Sequence, residues 1–195
     1  MLTIQSGLFR SRIIKNAPKG VVIRPILGRI KQSLFDIIRF QCRGAKFLDL
    51  YAGTGSVGLE ALSNGAQDVC FVENNPRCIK TIQKNITLLG VQDRSVVLHR
   101  DIVKGLFLSG KNYDIIFMGP PYKDERKVML ALTGPTLSII AGEKLCAAHG
   151  IIVAQHHIKE PVEDAIAGFK RVRKEKYGDS MLSFFKTAER MDTGA

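Results

Sequence analysis

The stretch from Lys46 to Ser63 reads Lys-Phe-Leu-Asp-Leu-Tyr-Ala-Gly-Thr-Gly-Ser-Val-Gly-Leu-Glu-Ala-Leu-Ser, and it decides the fold. The apolar run Phe47–Tyr51 predicts a buried strand, and the pattern over 56–64 predicts a helix. Gly53, Gly55 and Gly58 form a GxGxxG motif between them, which is the context that this motif requires. Glycines here permit a tight turn and let backbone amides approach a ligand. The segment therefore predicts a nucleotide-type binding loop.

Outward from this segment, short apolar runs alternate with helical stretches. Further strands are predicted at Val69–Glu73, Ser95–His99, Tyr113–Met118 and Gly150–Gln155, with helices at 75–89 and 124–148. Such alternation implies right-handed crossovers and a parallel sheet covered on both faces. The last helical stretch contains Gly134 and Pro135, which predicts two helices or a kink. The fold class is α/β with a Rossmann-like, mostly parallel sheet.

Both ends of the chain depart from this alternation. The runs Gly168–Lys176 and Met181–Lys186 predict an antiparallel hairpin at the sheet edge. At the other end, Leu8–Ile14 and Val21–Ile23 predict a small hairpin around the turn 16–20. An amphipathic helix follows, with these apolar positions: Leu27, Ile30, Leu34, Ile37 and Ile38. We expect residues 1–42 to form a basic arm and residues 43–195 the core.

The charge is unevenly distributed. Residues 1–46 contain ten Lys or Arg and one acid, Asp36, so they carry +9 of the net charge of +11. Such a surface favours a polyanionic partner, because each neutralised phosphate releases counterions. The candidate nucleic-acid contacts are Arg10, Arg12, Lys15, Arg24, Arg29 and Lys31. The alternative is a solvated basic surface, in particular for Arg29 and Lys31.

The remaining composition argues against several classes of protein. No apolar run among the 195 residues is long enough to cross a bilayer, and the start lacks the features of a secretory signal, so we expect a cytoplasmic location without membrane binding. The four cysteines lack CxxC spacing, which favours reduced, buried thiols. The adjacent His156 and His157 point to opposite faces of a strand and cannot chelate together, so we expect no metal.

Carboxylates follow successive predicted strands. Glu73 lies twenty residues after Gly53, where an acid accepts the hydroxyl hydrogens of a ribose. Asp49 stands four residues before Gly53, an arrangement similar to that of class I methyltransferases. Asp101 follows the third strand, where such enzymes place an acid near adenine; a plain surface acid is the alternative. The predicted cofactor residues are Asp49, Tyr51, Gly53, Thr54, Gly55, Glu73, Asn74, Asp101 and Ile102.

Several segments together resemble the RsmD family of methyltransferases. They are Arg24-Pro25, Arg29-Ile30-Lys31, Leu34-Phe35, the segment from Leu48 to Ser63, Pro120-Pro121-Tyr122 and Tyr177-Gly178-Asp179. The resemblance covers nearly the whole chain. It implies methyl transfer from S-adenosylmethionine, with S-adenosylhomocysteine as product, to guanine N2 of 16S ribosomal RNA, at guanine 966. It also implies a monomer that acts on a small ribosomal subunit or its precursor.

The implied catalytic segment is Gly119, Pro120, Pro121 and Tyr122. In similar enzymes an Asp or Asn side chain and a proline carbonyl accept hydrogen bonds from the amine, and the aromatic ring stacks on the base. This chain has Gly119 at the acidic position, a departure that would cost about 2.7–4 kcal/mol by analogy with removal of an oxyanion-hole group. Asp124 or a water molecule is a candidate substitute.

Two other functions remain open on the sequence. One is a non-catalytic ribosomal RNA binding or assembly factor that kept the cofactor pocket but lost turnover with the acid at position 119. The other is a nicotinamide-dependent oxidoreductase that uses the same glycine loop. Nothing after that loop resembles a hydride-transfer site, and the basic arm would then have no purpose.

Overall fold

The computed structural model describes residues 2–17, 20–21, 26–108 and 110–188. The strands are β1 Leu2–Thr3, β2 Ile13–Ile14, β3 Lys46–Leu50, β4 Asp68–Glu73, β5 Ser95–His99, β6 Tyr113–Met118, β7 Cys146–His157, β8 Ala165–Ile166, β9 Phe169–Tyr177 and β10 Ser180–Thr187. The helices are α1 Gly28–Ile38, α2 Ser56–Ser63, α3 Pro76–Leu89 and α4 Thr133–Gly142. Short 3₁₀ helices cover Gln92–Arg94 and Ile102–Lys104.

Eight strands form one sheet in the order β5-β4-β3-β6-β7-β10-β9-β8. The pairs from β5 to β7 are parallel, and the pairs from β7 to β8 are antiparallel. This confirms the α/β class and the antiparallel C-terminal hairpin, which is formed by β9 and β10. The two-residue strand β8 pairs with β9 and forms the edge of the sheet. The chain runs outward from β3 to β5 and then returns to β6 on the other side of β3. The carboxyl ends of β3 and β6 thus flank a topological switch point, where open α/β sheets bind ligands.

Alternate side chains along the strands build one apolar cluster on each face of the sheet. On β3, Phe47 belongs to the first cluster, whereas Leu48 and Leu50 belong to the second. The first cluster also contains Ile30 and Leu34 of α1, so the N-terminal arm shares a core with the sheet. The predicted boundary at residue 42 therefore does not separate two hydrophobic cores.

The prediction of helix over 124–148 is wrong for most of its length. Helix α4 covers ten residues, and an isolated bridge pairs Lys123 with Met129 in the preceding loop. Pro135 neither kinks nor divides the helix, because it lies in the first turn, where the missing N–H has no intrahelical partner to lose. Residues 146–148 belong to β7, which begins four residues before the predicted strand.

The predicted N-terminal hairpin has a different first strand. Leu2 pairs with Ile14 and Thr3 with Ile13, and turns occupy most of the segment between them. Gly7 explains why the chain turns so early: its φ is +74°, and a Cβ there would lie 1.9 Å from the Ser63 carbonyl oxygen. Only glycine allows this contact with the end of α2. Of the second predicted strand, Val22 and Ile23 lie outside the described residues.

Membrane spans and disulfides are both absent from the described residues. None of the helices described is long and apolar enough to cross a membrane. Three of the four cysteines are buried, and none forms a disulfide. Burial raises the pKa of Cys42 to about 12, so this thiol stays protonated and unreactive near neutral pH.

Candidate active site

Two loops meet at the switch point of the sheet. The first follows β3 and contains the glycine motif, and the second follows β6 and contains Gly119. The Gly119 amide donates to the carbonyl oxygen of Leu50, the last residue of β3, at 3.4 Å. One backbone contact therefore joins the predicted cofactor side of the site to the predicted substrate side.

Alternate residues of the glycine loop have a left-handed backbone conformation. Tyr51 has φ +59°, Gly53 +57° and Gly55 +77°, so the backbone curls back over the end of β3 before α2 begins. A positive φ is rare for a tyrosine and marks a strained position, as functional loops often contain. Gly58 has a different role, since a Cβ there would lie 2.3 Å from the Phe71 ring. Helix α2 therefore packs directly against β4.

Glu73 holds the glycine loop at the carboxyl end of β4. One carboxylate oxygen accepts the Gly53 amide at 2.7 Å, and the other accepts the amides of Asn74 and Asn75 at 3.1 and 2.9 Å. A carboxylate offers about four lone-pair sites. Three are used, so Glu73 keeps capacity for a ligand hydroxyl while it fixes the loop.

Asp49 lies beneath the same loop. Its side chain is buried and accepts the Gly58 amide at 2.9 Å. Burial raises its pKa to about 8, the Gly58 hydrogen bond opposes this, and the nearby Glu73 carboxylate adds to it. Asp49 is thus mainly protonated at neutral pH, and a cation bound nearby would favour its ionised form.

The other predicted cofactor residues surround this loop. Asp101 follows β5, caps a 3₁₀ helix by accepting the Val103 amide at 3.2 Å, and is partly exposed. Ile102 is buried. The Tyr51 hydroxyl bonds Thr136 Oγ1 at 2.8 Å; burial raises its pKa, and the Asp101 carboxylate adds to that rise. The Asp101 carboxylate is therefore near enough to influence the Tyr51 hydroxyl electrostatically.

These residues fit an adenosine-containing cofactor with an amino-acid end. The buried Glu73 has one lone-pair site left for a ribose hydroxyl, and the left-handed turn of Gly53 and Gly55 brings backbone close to the strand ends. Asp49 is poised to ionise beside an ammonium group. Thr54 is buried within the loop, and Asn74 is exposed next to Glu73. For a metal, the described residues offer no suitable cluster of His, Cys, Asp or Glu.

The Gly119–Tyr122 loop differs from its predicted form in one respect. Pro120 is buried and Pro121 exposed, but the Tyr122 ring is only 6% exposed. Its hydroxyl donates to Ser180 Oγ at 3.1 Å, and its ring packs edge-on against His157. In this conformation the ring is not available to stack on a base, because the C-terminal hairpin covers it. The stacking role stays a prediction that requires this loop to move.

Asp124, the candidate substitute for the missing acid, is not placed to accept a hydrogen bond from a substrate amine. Asp124 is exposed and accepts the Val128 amide at 2.8 Å within a surface turn. A side chain that the sequence did not single out is closer, since Oε1 of Gln155 lies 4.0 Å from the position of a Cβ at Gly119. Only the pairing of β6 with β7 brings these two residues together.

The prediction that Lys31 binds nucleic acid is wrong. Lys31 is 2% exposed, and its Nζ lies 2.8 Å from Glu60 Oε2 and 2.9 Å from the Thr3 carbonyl oxygen. The helical repeat explains the error, because positions 31, 34, 35 and 38 form one stripe and that stripe faces the core. A signal was present in Glu60, a lone acid among the apolar residues of α2, which requires a buried partner.

The other basic candidates remain at the surface. Arg10, Arg12, Lys15 and Arg29 are exposed or partly exposed, whereas Arg24 lies outside the described residues. Arg29 lies beside the C-terminal hairpin, since a Cβ at Gly178 would be 3.6 Å from its Nη2. Lys15 also borders a cleft of about 570 Å³ between the arm and α3. Its other lining residues are Asn16, Arg77, Lys80, Thr81 and Lys84, so none of the described lining residues is acidic.

Known proteins resemble this chain in architecture and in sequence. The 16S rRNA guanine-N2 methyltransferase RsmC of Thermus thermophilus, solved with S-adenosylmethionine and guanosine, superposes with a TM-score of 0.67 at 19% identity, over 87% of this chain and 44% of that one. Ribosomal RNA small subunit methyltransferase D of Buchnera aphidicola is 27% identical over 161 residues, which is 82% of this chain and 80% of that protein.

Similarity also extends over nearly the whole chain. YlbH of Bacillus subtilis is 29% identical over 188 residues, which is 95% of this chain and 98% of YlbH. The family model described as Conserved hypothetical protein 95 matches residues 2–186. The chain therefore belongs to this family, which is the RsmD family that the sequence segments resemble.

Proposed function

We propose that this protein transfers a methyl group from S-adenosylmethionine to the exocyclic N2 of a guanine in 16S ribosomal RNA, with guanine 966 as the expected position. The observation that carries the proposal is the contact between the two loops. The Gly119 amide bonds the Leu50 carbonyl, so a base held by the second loop would lie beside a cofactor held by the first. The name of the Buchnera relative supports methyl transfer to small-subunit ribosomal RNA.

The residues divide the work between binding and positioning. S-adenosylmethionine would supply an electrophilic methyl group. Glu73 would accept hydrogen bonds from the ribose, and Asp49 in its ionised form would favour the ammonium group. On the substrate side, the Pro120 carbonyl would accept one amine hydrogen. Much of the rate would come from alignment of the amine with the methyl carbon, since positioning alone contributes several kcal/mol.

We further infer that RNA binds along the cleft between the arm and α3. The charges there are Lys15 from the arm with Arg77, Lys80 and Lys84 from successive turns of one helix face. In the described part of the chain, no ion pair includes Lys15, Lys80 or Lys84. Three lysines that converge without an ion pair among the described residues favour the binding of phosphates. Arg10, Arg12 and Arg29 would extend this surface.

The cleft is fixed to the cofactor loop by a buried amide. Asn85 of α3 accepts the Lys15 amide at 2.7 Å and donates to the carbonyl oxygens of Lys15 and Thr54 at 3.2 and 3.1 Å. Helix α3 also begins directly after Asn75, which Glu73 holds. An RNA backbone in the cleft would therefore have a defined distance to the methyl donor, while the target base left its stack to enter the site.

The proposal is tested by methylation of defined substrates. Purified protein and labelled S-adenosylmethionine are incubated with 16S RNA, small subunits and precursor particles that lack modification. Nucleoside mass spectrometry then identifies the product, and N2-methylguanosine at one position is expected. Methyl transfer to another base, or to none while the cofactor binds, would contradict the proposed reaction.

The second candidate function is an RNA-binding assembly factor without turnover. One specific observation favours it: Gly119 occupies the position at which similar enzymes have the catalytic Asp or Asn. Such a factor would bind both S-adenosylhomocysteine and precursor particles, and its binding to particles would persist without any methylated product. Complementation of a strain that lacks the gene, by this chain and by a Glu73→Ala variant, separates the two. Equal rescue would favour the assembly factor, since the enzyme needs its cofactor.

A further inference from the structure

A glutamine oxygen lies beside the position where the substrate loop lacks its acid. Met118 of β6 pairs with Ala154 of β7, so the next residues along the two parallel strands, Gly119 and Gln155, lie side by side at the carboxyl end. A Cβ at Gly119 would be 4.0 Å from Gln155 Oε1. A side chain from the neighbouring strand thus brings a hydrogen-bond acceptor to the space that an acidic residue at 119 would enter.

The orientation of the Gln155 amide follows from its neighbours. The Tyr122 hydroxyl has one proton, and it donates this proton to Ser180 Oγ at 3.1 Å. Toward Gln155 the hydroxyl can therefore only accept, which it does from Nε2 at 3.3 Å. The NH₂ group of the amide consequently faces Tyr122, and its carbonyl oxygen faces Gly119.

The Gln155 carbonyl is also available to a ligand. Gln155 is 6% exposed, so its amide is held by packing as well as by Tyr122. Within the described part of the chain, Oε1 accepts no hydrogen bond. This oxygen therefore has its acceptor capacity left over, and a substrate N–H that reaches it would use that capacity.

We propose that Gln155 Oε1 is a catalytic acceptor for the substrate amine, in place of the missing acid; this inference rests on the proposed function. The amine nitrogen would donate one hydrogen to Gln155 Oε1, which favours localisation of its lone pair. The nitrogen–carbon bond forms as the carbon–sulfur bond of the methyl donor breaks, and that bond's electron pair stays on sulfur. The amine proton then leaves to water, because an amide carbonyl is too weak a base to keep it.

The test measures single-turnover methylation in four forms: the parent, Gln155→Met, Gly119→Asp and the double variant. Met keeps the side-chain volume but has no carbonyl. In the parent background, Gln155→Met should lower the rate on the order of a hundredfold, as for the removal of one preorganised group. In the Gly119→Asp background the same change should cost only a few-fold, since the carboxylate now supplies the acceptor. Binding of S-adenosylhomocysteine should stay unchanged in all four.

Two further variants separate this role from a structural one. Ser180→Ala removes the acceptor of the Tyr122 proton, which can then go to Gln155 Oε1, so the rate should fall in the parent background and change little in the Gly119→Asp background. Gln155→Glu keeps an acceptor oxygen and should react at least as fast as the parent. A hundredfold loss in Gln155→Glu, equal losses from Gln155→Met in both backgrounds, or no loss in the parent would overturn the proposal. If the parent binds cofactor but never methylates guanine N2, the proposed function itself fails.

Discussion

The loops after β3 and β6 are neighbours, yet they satisfy their polar groups by different means. In the first loop, two buried carboxyl groups, Glu73 and Asp49, accept hydrogen bonds from backbone amides. In the second, neutral groups of Tyr122, Gln155 and Ser180 bond one another. The cofactor side is therefore organised by acidic groups that can titrate, and the substrate side by neutral hydrogen bonds. Substitution of an acidic group at the first loop should change cofactor binding or stability, and should do so in a pH-dependent way. Substitution at the second loop should change the methylation rate more than it changes binding.

The largest effect is expected at Glu73. Glu73→Ala removes the ribose acceptor and leaves three backbone amides without this partner, so S-adenosylhomocysteine should bind about tenfold to a hundredfold more weakly, from the loss of one hydrogen bond of roughly 1.5–3 kcal/mol. Calorimetry measures the affinity. Glu73→Gln is the matched control, since it keeps an acceptor and should lose less. An unchanged affinity in folded Glu73→Ala would remove this residue from the site.

Asp49 should make stability depend on pH. Between about pH 4 and about pH 8 the folded chain keeps the Asp49 proton that the unfolded chain releases, because the pKa is raised to about 8. The folded state then binds more protons, so the free energy of unfolding should fall as pH rises through that window, by at most about 1.4 kcal/mol per pH unit.

Asp49→Asn isolates this contribution. Asn still accepts the Gly58 amide but cannot titrate, so the variant should gain stability relative to the parent as pH rises from 5 to 8. Urea unfolding at several pH values measures the difference between the two proteins, in which the other titrating groups cancel. A constant difference would mean that Asp49 is ionised in the folded chain.

Gly119→Asp tests the substrate loop. A carboxylate accepts a hydrogen bond about twice as strongly as a neutral group, so single-turnover methylation should rise about tenfold over a parent that already uses Gln155. The gain is limited because the new Cβ would lie 3.3 Å from Phe117, which must shift slightly. Cofactor affinity should not change. A weaker cofactor complex would show that the two loops do not divide their work as proposed.

The smallest effect is expected at the basic cleft between the arm and α3, which lies outside both loops. Substitution of Lys15, Lys80 and Lys84 by Ala should reduce the slope of log RNA affinity against log salt by about 0.7–0.9 for each phosphate that is no longer neutralised. Arg43, Lys46 and Lys186, which lie near the opposite end of the sheet, form a control set with the same change of charge. If only the control set altered the slope, RNA would bind at that end instead.

The parts of the fold that were predictable follow from local chemistry. The strands β3 to β6 and the helices α2 and α3 have apolar runs of the right length between turn residues. Asn75 caps α3 with Pro76 at its first position, and Gly90 ends it, as the sequence pattern requires. The glycine loop was predictable because the functional residues and the fold signal occupy one continuous segment.

What sequence reasoning missed depends on contacts between distant segments. Gln155 gains its meaning only from the strand register that brings it to Gly119, and Tyr122 is covered by a hairpin about sixty residues later in the chain. The turn at Gly7 is set by Ser63 rather than by its own neighbours. Lys31 shows a different failure, since its position in the apolar stripe was readable but its charge suggested the surface.

The buried pair of Lys31 and Glu60 has a consequence for how a nascent chain reaches this fold. Glu60 accepts the amides of Gln5 and Ser6, which precede it by 55 and 54 residues, as well as the Lys31 ammonium. Gln5 and Ser6 therefore pair only after Glu60 has been synthesised, and contacts of such long sequence separation form slowly. A protein made from the 43–195 segment alone would lose the described partners of the Glu60 side chain and would expose apolar residues that α1 now covers. The arm is thus part of the same core and cannot be removed as a detachable module.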